Sequence, residues 1–423
     1  MRGDTINILD TLKTLDESRY DDIERWMASQ RKIAAPLFYN SVDLRHSGLK
    51  LAPVDTNIFP AGFNNLSPAA RGRASRFIGR VLQDEYPDAK RIVIVPENHT
   101  RNLGYLENLA TLLSLFESLG IEVHLGSLAA ESGAPIELES PSGKKLTEYA
   151  VKRDGDKLTL DNHFVPDLII MNNDMTAASP AQLEGLTQPV LPPLGMGWYR
   201  RRKSVHFAAY QTLIDDFGAT FDIDPWLLNA EFHRCGVIDF KERTGVDALA
   251  DGIEKVLARV REKYKEYGIT EEPYVFIKAE SGTYGMGIMT ARSPDDVREL
   301  NKKDRNKMQV IKEGERNSEV IIQEGIPTLD VIDGKPAEPM IYLIDGVPVG
   351  GMYRVNSSRD ALSNLNASGM EFTGMCDEVE EDECGKWKSV PNCHFRSFGI
   401  IAAIAALAAA REDYEVGSYG EGI

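Results

Sequence analysis

Leu9, Leu12 and Leu15 recur at three-residue spacing, and Ile23, Trp26 and Met27 resume the interval further on, so the chain opens on two predicted helices. Residues 53–65, rich in Pro, Gly and Asn, read as a loop. A β-α-β pattern follows. Residues 92–95 form a short buried-strand run; Leu103, Leu106, Leu109, Leu113 and Phe116 mark a helix face that Gly120 stops; a strand resumes over 121–125. A further core strand is predicted at 168–171, closed by Asn172, Asn173 and Asp174. Pro and Gly cluster over 189–197, which places a domain boundary at 195/196. Beyond it, one helix is predicted over 204–217, stopped by Gly218, and a second through Leu249, Ile253, Leu257, Val260 and Tyr264 to Gly268. After Pro273 the pattern turns to strands, at 274–279, 288–291, 320–323, 340–344 and 347–353, the last two flanking Asp345 and Gly346, a strong hairpin signal.

The fold class these elements predict is α/β, with α+β character in the second half. They divide into an expected N-terminal parallel α/β domain (1–195) and an antiparallel sheet-and-helix domain (196–423). No internal repeat is present. The longest nearly uncharged apolar run, 398–410, is mostly Ala and falls well short of the roughly 20 residues that span a bilayer. It reads as a buried helix, in the core or at the interface of a homo-oligomer.

Composition changes the picture in one respect. Lys+Arg number 48 against 65 Asp+Glu, a net charge of −17, which excludes a nucleic-acid backbone or an anionic membrane as the main partner but not a local basic pocket for a small anion. Four cysteines in 423 residues are too few for a disulfide framework and fit a reducing compartment. With no apolar segment after the acidic start, the expectation is a cytoplasmic protein. Cys376, Cys384, Cys393 and His394 lack the paired short spacing of structural zinc sites.

The most informative segment is 274–289, with Lys278, Ser281, Gly282, Thr283, Tyr284, Gly285 and Gly287. Three glycines in six positions let backbone N–H groups converge on an anion. No Gly-Lys-Ser/Thr is present, so this is not a P-loop; the glycine spacing and the strand that follows exclude the dinucleotide fingerprint. What remains is strand, flap, strand, with Lys278 as a point charge beside the phosphates of a nucleotide; an ordinary tight hairpin turn is the alternative.

The segment resembles the glycine-rich flap of the ATP-grasp superfamily, and other landmarks follow in order. Residues 202–218, headed by Arg202 and Lys203, resemble the helix that introduces the nucleotide fold. Residues 320–327, with Gln323 and Glu324, resemble the adenine-binding strand and hinge, and 340–354 the hairpin that delivers Arg354 to a phosphate. Residues 364–369 resemble the asparagine loop of glutathione synthetases. More narrowly, 52–65, 95–101 and 282–289 are similar to one family of bacterial glutamate–cysteine ligases, and the likeness extends over roughly 37–411.

The resemblance implies ATP-dependent joining of the γ-carboxyl of L-glutamate to the amine of L-cysteine through an acyl phosphate, with ATP and Mg²⁺ as cofactors. It gives Lys278 and Arg354 catalytic roles. The nucleotide falls to Lys203, the flap, Gln323 and Glu324. Amino-acid recognition falls to Asp55, Asn57, Asn64 and Asn65 in the early loop, to Glu97, Asn98 and Arg101 after the first core strand, and to Arg202. Metal ligands are Glu338, Asn364 and Asn366, chosen by position because the Glu/Asn pair many ATP-grasp enzymes carry near the end of the fold is missing. Of Arg200, Arg201, Arg202 and Lys203, one or two are expected in the site, because cations at a helix N-terminus are unfavourable without an anion nearby. Two rival readings stay open: another ATP-grasp carboxylate–amine ligase, and a non-catalytic nucleotide-binding protein.

Overall fold

The computed structural model describes residues 7–98, 101–281, 288–301, 305, 311–312, 315–316, 319–381 and 386–412. Three sheets carry the architecture. The first, antiparallel, runs in the order Met370–Gly374, Val347–Asn356, Lys335–Ile344, Tyr39–His46, Leu51–Asn57. Its central hairpin turns at Asp345 and Gly346, both at positive φ (49° and 66°), as a two-residue turn of matching twist requires. The second is built on parallel neighbours in the order Lys145–Asp154, Glu122–Ser127, Arg91–Pro96, Leu168–Asn172, Val190–Leu191, crossed over by the helix Leu103–Glu117. The third, antiparallel, orders Phe232–Val237, Glu319–Glu324, Val275–Ala279 and Met289–Ala291, with the helix Val246–Tyr267 packed against it. The predicted α/β class, parallel first and antiparallel later, is the class observed, and Val275–Ala279 and Met289–Ala291 do pair on either side of the glycine segment. Residues 282–287 lie outside the described residues.

The differences from expectation have local causes. The two opening helices are one, Ile8–Arg31, broken only at Arg19 (φ −133°, ψ 31°). Leu51–Asn57, read as loop because of Pro53, is a strand at the edge of the first sheet, where a proline's missing N–H leaves no ladder bond unmade; the register slips between Asp43 and Leu44 opposite it. The helix Lys203–Phe221 runs through Gly218 and ends on Asp222 in the left-handed region. Gly218 is there for closeness: a Cβ would sit 2.5 Å from the Ile223 carbonyl oxygen.

Pairing of Tyr39–His46 with Lys335–Ile344 puts strands from either side of the 195/196 division into one sheet. Residues 39–57 therefore belong, by hydrogen bonding, with the second half of the chain. The Ala-rich segment is the helix Phe395–Ala410, buried along nearly its whole length against Ile8–Arg31, Lys203–Phe221 and the first sheet. Its alanines permit that close packing, and burial of Phe398, Ile401, Ile404 and Leu407 stabilises it by about 1.5–3 kcal/mol each. It is a core helix. Among the described residues no helix is long and apolar enough to cross a membrane. Contrary to the cysteine reading, Cys376 and Cys393 form a disulfide, brought together by the hairpin of Val379–Glu381 and Trp387–Ser389; Cys235 is buried and free, and Cys384 lies outside the described residues.

Candidate active site

Strand periodicity builds the site. In the first sheet Ser41 and Asp43 lie opposite Asn57 and Asp55 on one side and Tyr342 and Met340 on the other, and Met340 lies opposite Met352. Two residues further along, Glu338 lies opposite Arg354. All share one face, since alternate residues of a strand point the same way. Arg45, two residues beyond Asp43 on an uninterrupted strand, shares that face, and its Nε donates to Glu338 Oε2 at 2.7 Å. Arg354 Nη1 donates to Asp43 Oδ2 at 2.8 Å and to Glu338 Oε1. All four side chains are buried. Burial opposes the charge on Glu338, but Arg45 and Arg354 overcome it and hold its carboxyl below the usual range. Burial raises Asp43, with Arg354 opposing and Glu338 reinforcing the rise.

The third sheet closes over this face. Lys278, on Val275–Ala279, donates to Gln323 Oε1 at 2.6 Å and to the Val54 carbonyl at 3.1 Å, bridging the two sheets. Burial brings its ammonium down to about 8; Asp55 pushes the other way. Lys203, first residue of its helix, donates to Asp55 Oδ1 at 2.6 Å. Burial opposes ionisation of Asp55, yet Lys203 and Lys278 hold its carboxyl at about 2. The Asp55 side chain is still 30% exposed, so it borders open space between the sheets.

The basic run at 200–203 is compensated from within the protein. Arg201 is buried and grips Glu412 through Nε and Nη2, both at 2.8 Å, while Nη1 donates to the Thr56 carbonyl at 2.6 Å. His206 Nδ1 lies 2.9 Å from the same carboxylate. Arg202 pairs with Glu319 at 2.7 Å. Buried Glu280 caps the helix, its Oε2 accepting from the Ser204 N–H at 2.9 Å. These carboxylates are the anions that a cationic helix N-terminus needs.

Other predicted residues are placed differently. Glu324 is buried in an ion pair with Lys50 (2.6 Å) and also accepts from the Glu231 N–H at 2.9 Å, whereas Gln323 keeps a buried Nε2 without a partner. Asp55 and Asn57 lie on a strand rather than in a loop, and Asn57 donates to Ser41 Oγ at 3.3 Å. Asn64 and Asn65 sit in a short turn held to the parallel layer by Asn108, which accepts from the Gly62 and Phe63 N–H groups, and to the first sheet by Tyr342 Oη on the Ala61 carbonyl. Glu97 accepts from the Asp174 N–H at 2.6 Å at the carboxyl end of Arg91–Pro96; Asn98 and Arg101 are exposed nearby. Ser281 is half-buried at the edge of the flap; Gly282, Thr283, Tyr284, Gly285 and Gly287 lie outside the described residues.

The proposed metal ligands are occupied otherwise. Both Glu338 oxygens are taken by arginines, and the Asn364 side chain closes a turn on the backbone of Asn366, accepting its N–H and donating to its carbonyl, each at 3.1 Å. Among the described residues no three His, Cys, Asp or Glu side chains gather as a metal site. Sequence reasoning missed Asp43, Arg45, Glu280 and Glu412. For the first two a signal existed: Ser41, Asp43 and Arg45 alternate with Val42 and Leu44, the two-residue period of a strand with one polar face.

Compared with known proteins, residues 14–413 match the model of the glutamate-cysteine ligase family, GshA. The chain belongs to that family. The crystal structure of a provisionally named gamma-glutamylcysteine synthetase from Methylobacillus flagellatus KT is 43% identical, covers 96% of both chains and superposes with a TM-score of 0.87. A glutathione synthetase-like effector from Globodera pallida (11% identical, covering 86% of this chain and 79% of the other, TM-score 0.36) and D-alanyl-alanine synthetase A from Vibrio cholerae (12%, 67% and 74%, TM-score 0.30) are too distant to bear on the site. No curated protein matches the chain.

Proposed function

We propose that this protein joins the γ-carboxyl of L-glutamate to the amine of L-cysteine at the expense of ATP, the reaction that names its family. The observation that carries the assignment of residues is the cleft in which Lys278, Lys203, Arg45 and Arg354 face Asp55, Asp43 and Glu338. Cations outnumber carboxylates there, in a chain whose net charge is −17, which suits anionic substrates. Two buried donors without partners, Arg354 Nε and Gln323 Nε2, support an incoming acceptor.

In this reading a carboxylate oxygen of glutamate attacks the γ-phosphorus, the bond to the β–γ bridging oxygen breaks and ADP leaves. The neutral cysteine amine then attacks the acyl carbon, phosphate departs, and the amine's proton is lost. Phosphoryl transfer asks the protein for alignment, charge neutralisation and exclusion of water rather than covalent chemistry. Lys278 would neutralise phosphate oxygens from its strand; Arg354, held as a rigid fork by Asp43 and Glu338, would meet the transferring group. Gln323 is the better adenine contact, because Lys50 already occupies Glu324. Magnesium suits the nucleotide's phosphates, but Glu338, Asn364 and Asn366 do not fit as its ligand set, since two guanidiniums neutralise the only carboxylate among them. The setting proposed is cytoplasmic and the partners small molecules, not nucleic acid or membrane.

The test is ADP release by the purified protein with ATP, Mg²⁺ and glutamate, with and without cysteine, together with the product mass. Cysteine-dependent release and a γ-glutamylcysteine mass support the reading. Turnover with another amine but not cysteine, or nucleotide binding without turnover, would overturn it.

A further inference from the structure

Asp43 is left without a direct task by the reaction just described. Its Oδ2 accepts from Arg354, but its Oδ1 is buried and has no hydrogen-bond partner. Methionines 340 and 352 lie beside it on the same sheet face, so water is poorly admitted. Asp55 stands directly across the strand pair, and like charges so placed repel each other. Lys203 answers Asp55 from one side and Arg354 answers Asp43 from the other. A buried carboxylate oxygen with no donor is expensive, and two opposed carboxylates make it more so. Both defects are relieved by a cationic donor arriving between them from the cleft.

We propose that Asp43 Oδ1 receives the α-ammonium of the glutamate substrate and thereby selects an α-amino acid over a plain dicarboxylate. This rests on the ligase reading above. The ammonium concerned is glutamate's rather than cysteine's for a chemical reason. The cysteine nitrogen must be uncharged to attack the acyl phosphate, and an ionised carboxylate at hydrogen-bond distance would keep it protonated. Glutamate's amino group takes no part in bond making and can stay charged throughout. Asp43 is therefore a specificity-determining residue, with Arg354 fixing its orientation.

The experiment compares wild-type protein with D43N, using glutamate as substrate and glutarate, which lacks only the amino group, as competing inhibitor. D43N keeps the size of the side chain but loses the charge. The KM for glutamate should rise roughly 10- to 100-fold, the range for losing a charged hydrogen bond, while the glutarate inhibition constant and the KM for cysteine stay within twofold. Equal weakening of glutamate and glutarate, or a rise confined to cysteine, overturns the proposal. Circular dichroism establishes that the variant is folded. If D43N does not fold, D43E, which keeps a charge beside Arg354 but displaces the oxygens by a methylene, must show the same loss of preference; an unchanged glutamate-to-glutarate ratio there overturns it too. Failure of the wild-type protein to make γ-glutamylcysteine would instead remove the ligase reading, so the two failures are distinguishable.

Discussion

Lys278 Nζ donates to Gln323 Oε1 at 2.6 Å, so the lysine is positioned by its neighbouring strand before any ligand arrives. Burial brings this ammonium down to about 8, and a lysine below its ordinary value loses its proton as pH rises through the lowered one. Proposed as a phosphate contact, it should impose a fall in kcat/KM for ATP above about pH 8. K278R, which stays charged, should lack that limb; K278A should lose roughly 100- to 1000-fold in turnover with unchanged circular dichroism. Rates across neutral and alkaline pH check this, and near-normal turnover by K278A would remove Lys278 from the site.

The grip of Arg201 on Glu412 predicts a stability effect. E412Q strands a buried guanidinium and should lower unfolding free energy by about 3–5 kcal/mol in urea titrations. Burial alone would raise the Glu412 carboxyl, but Arg201 and His206 hold it at about 2. A depressed carboxylate contributes stability that is complete above the unfolded value of about 4.3 and disappears as pH falls through the folded one. The wild-type protein should therefore lose stability over that acid window more steeply than E412Q; parallel acid limbs would count against the pairing.

Gly350 lies where the helix Pro68–Glu85 meets the first sheet, and a Cβ there would come within 2.3 Å of the Ala70 Cβ. G350A should destabilise by about 1–3 kcal/mol, the usual range for overpacking. G374A serves as the control, because nothing lies within 4 Å of its added methyl. Thermal melts of the pair measure the difference directly, and equal melting temperatures would contradict the close approach.

The Cys376–Cys393 bond spans 17 residues of sequence, so C376S should lose about 3 kcal/mol of stability on a chain-entropy account. Turnover at low temperature should be retained, since neither sulfur touches the cleft residues. A reducing agent should reproduce the melting shift in the wild-type protein and leave C376S unmoved.

Helices with strong apolar faces and strands bounded by Gly or Pro were legible from the chain. Gly268 caps its helix in the left-handed region, and Asp345-Gly346 turns the hairpin as its residue types demand. Leu51–Asn57 was not, because Pro53 signals a loop unless the strand is known to be an edge. The buried cations Lys203, Lys278 and Arg354 could be picked out, since each heads or lies within a recognisable motif. Their pairings could not be, although the sequence marks Asp55, Gln323 and Glu338 for other roles. Asp43, Glu338 and Arg354 converge only through the register of strands far apart in sequence, and Glu412 reaches Arg201 only because the buried Ala-rich helix carries it there.

That same register constrains the order of assembly. Tyr39 pairs with Ile344 and Asp43 with Met340, so the earliest strands of the chain wait, during synthesis, for partners that emerge near its far end. The parallel sheet draws its strands from 91–191 and can condense first. Pairings of such long separation carry the slowest part of folding. The Asp43–Arg354–Glu338 cluster cannot be complete until residues 338 and 354 have emerged, so a nascent chain can hold a finished parallel layer before those charges are paired.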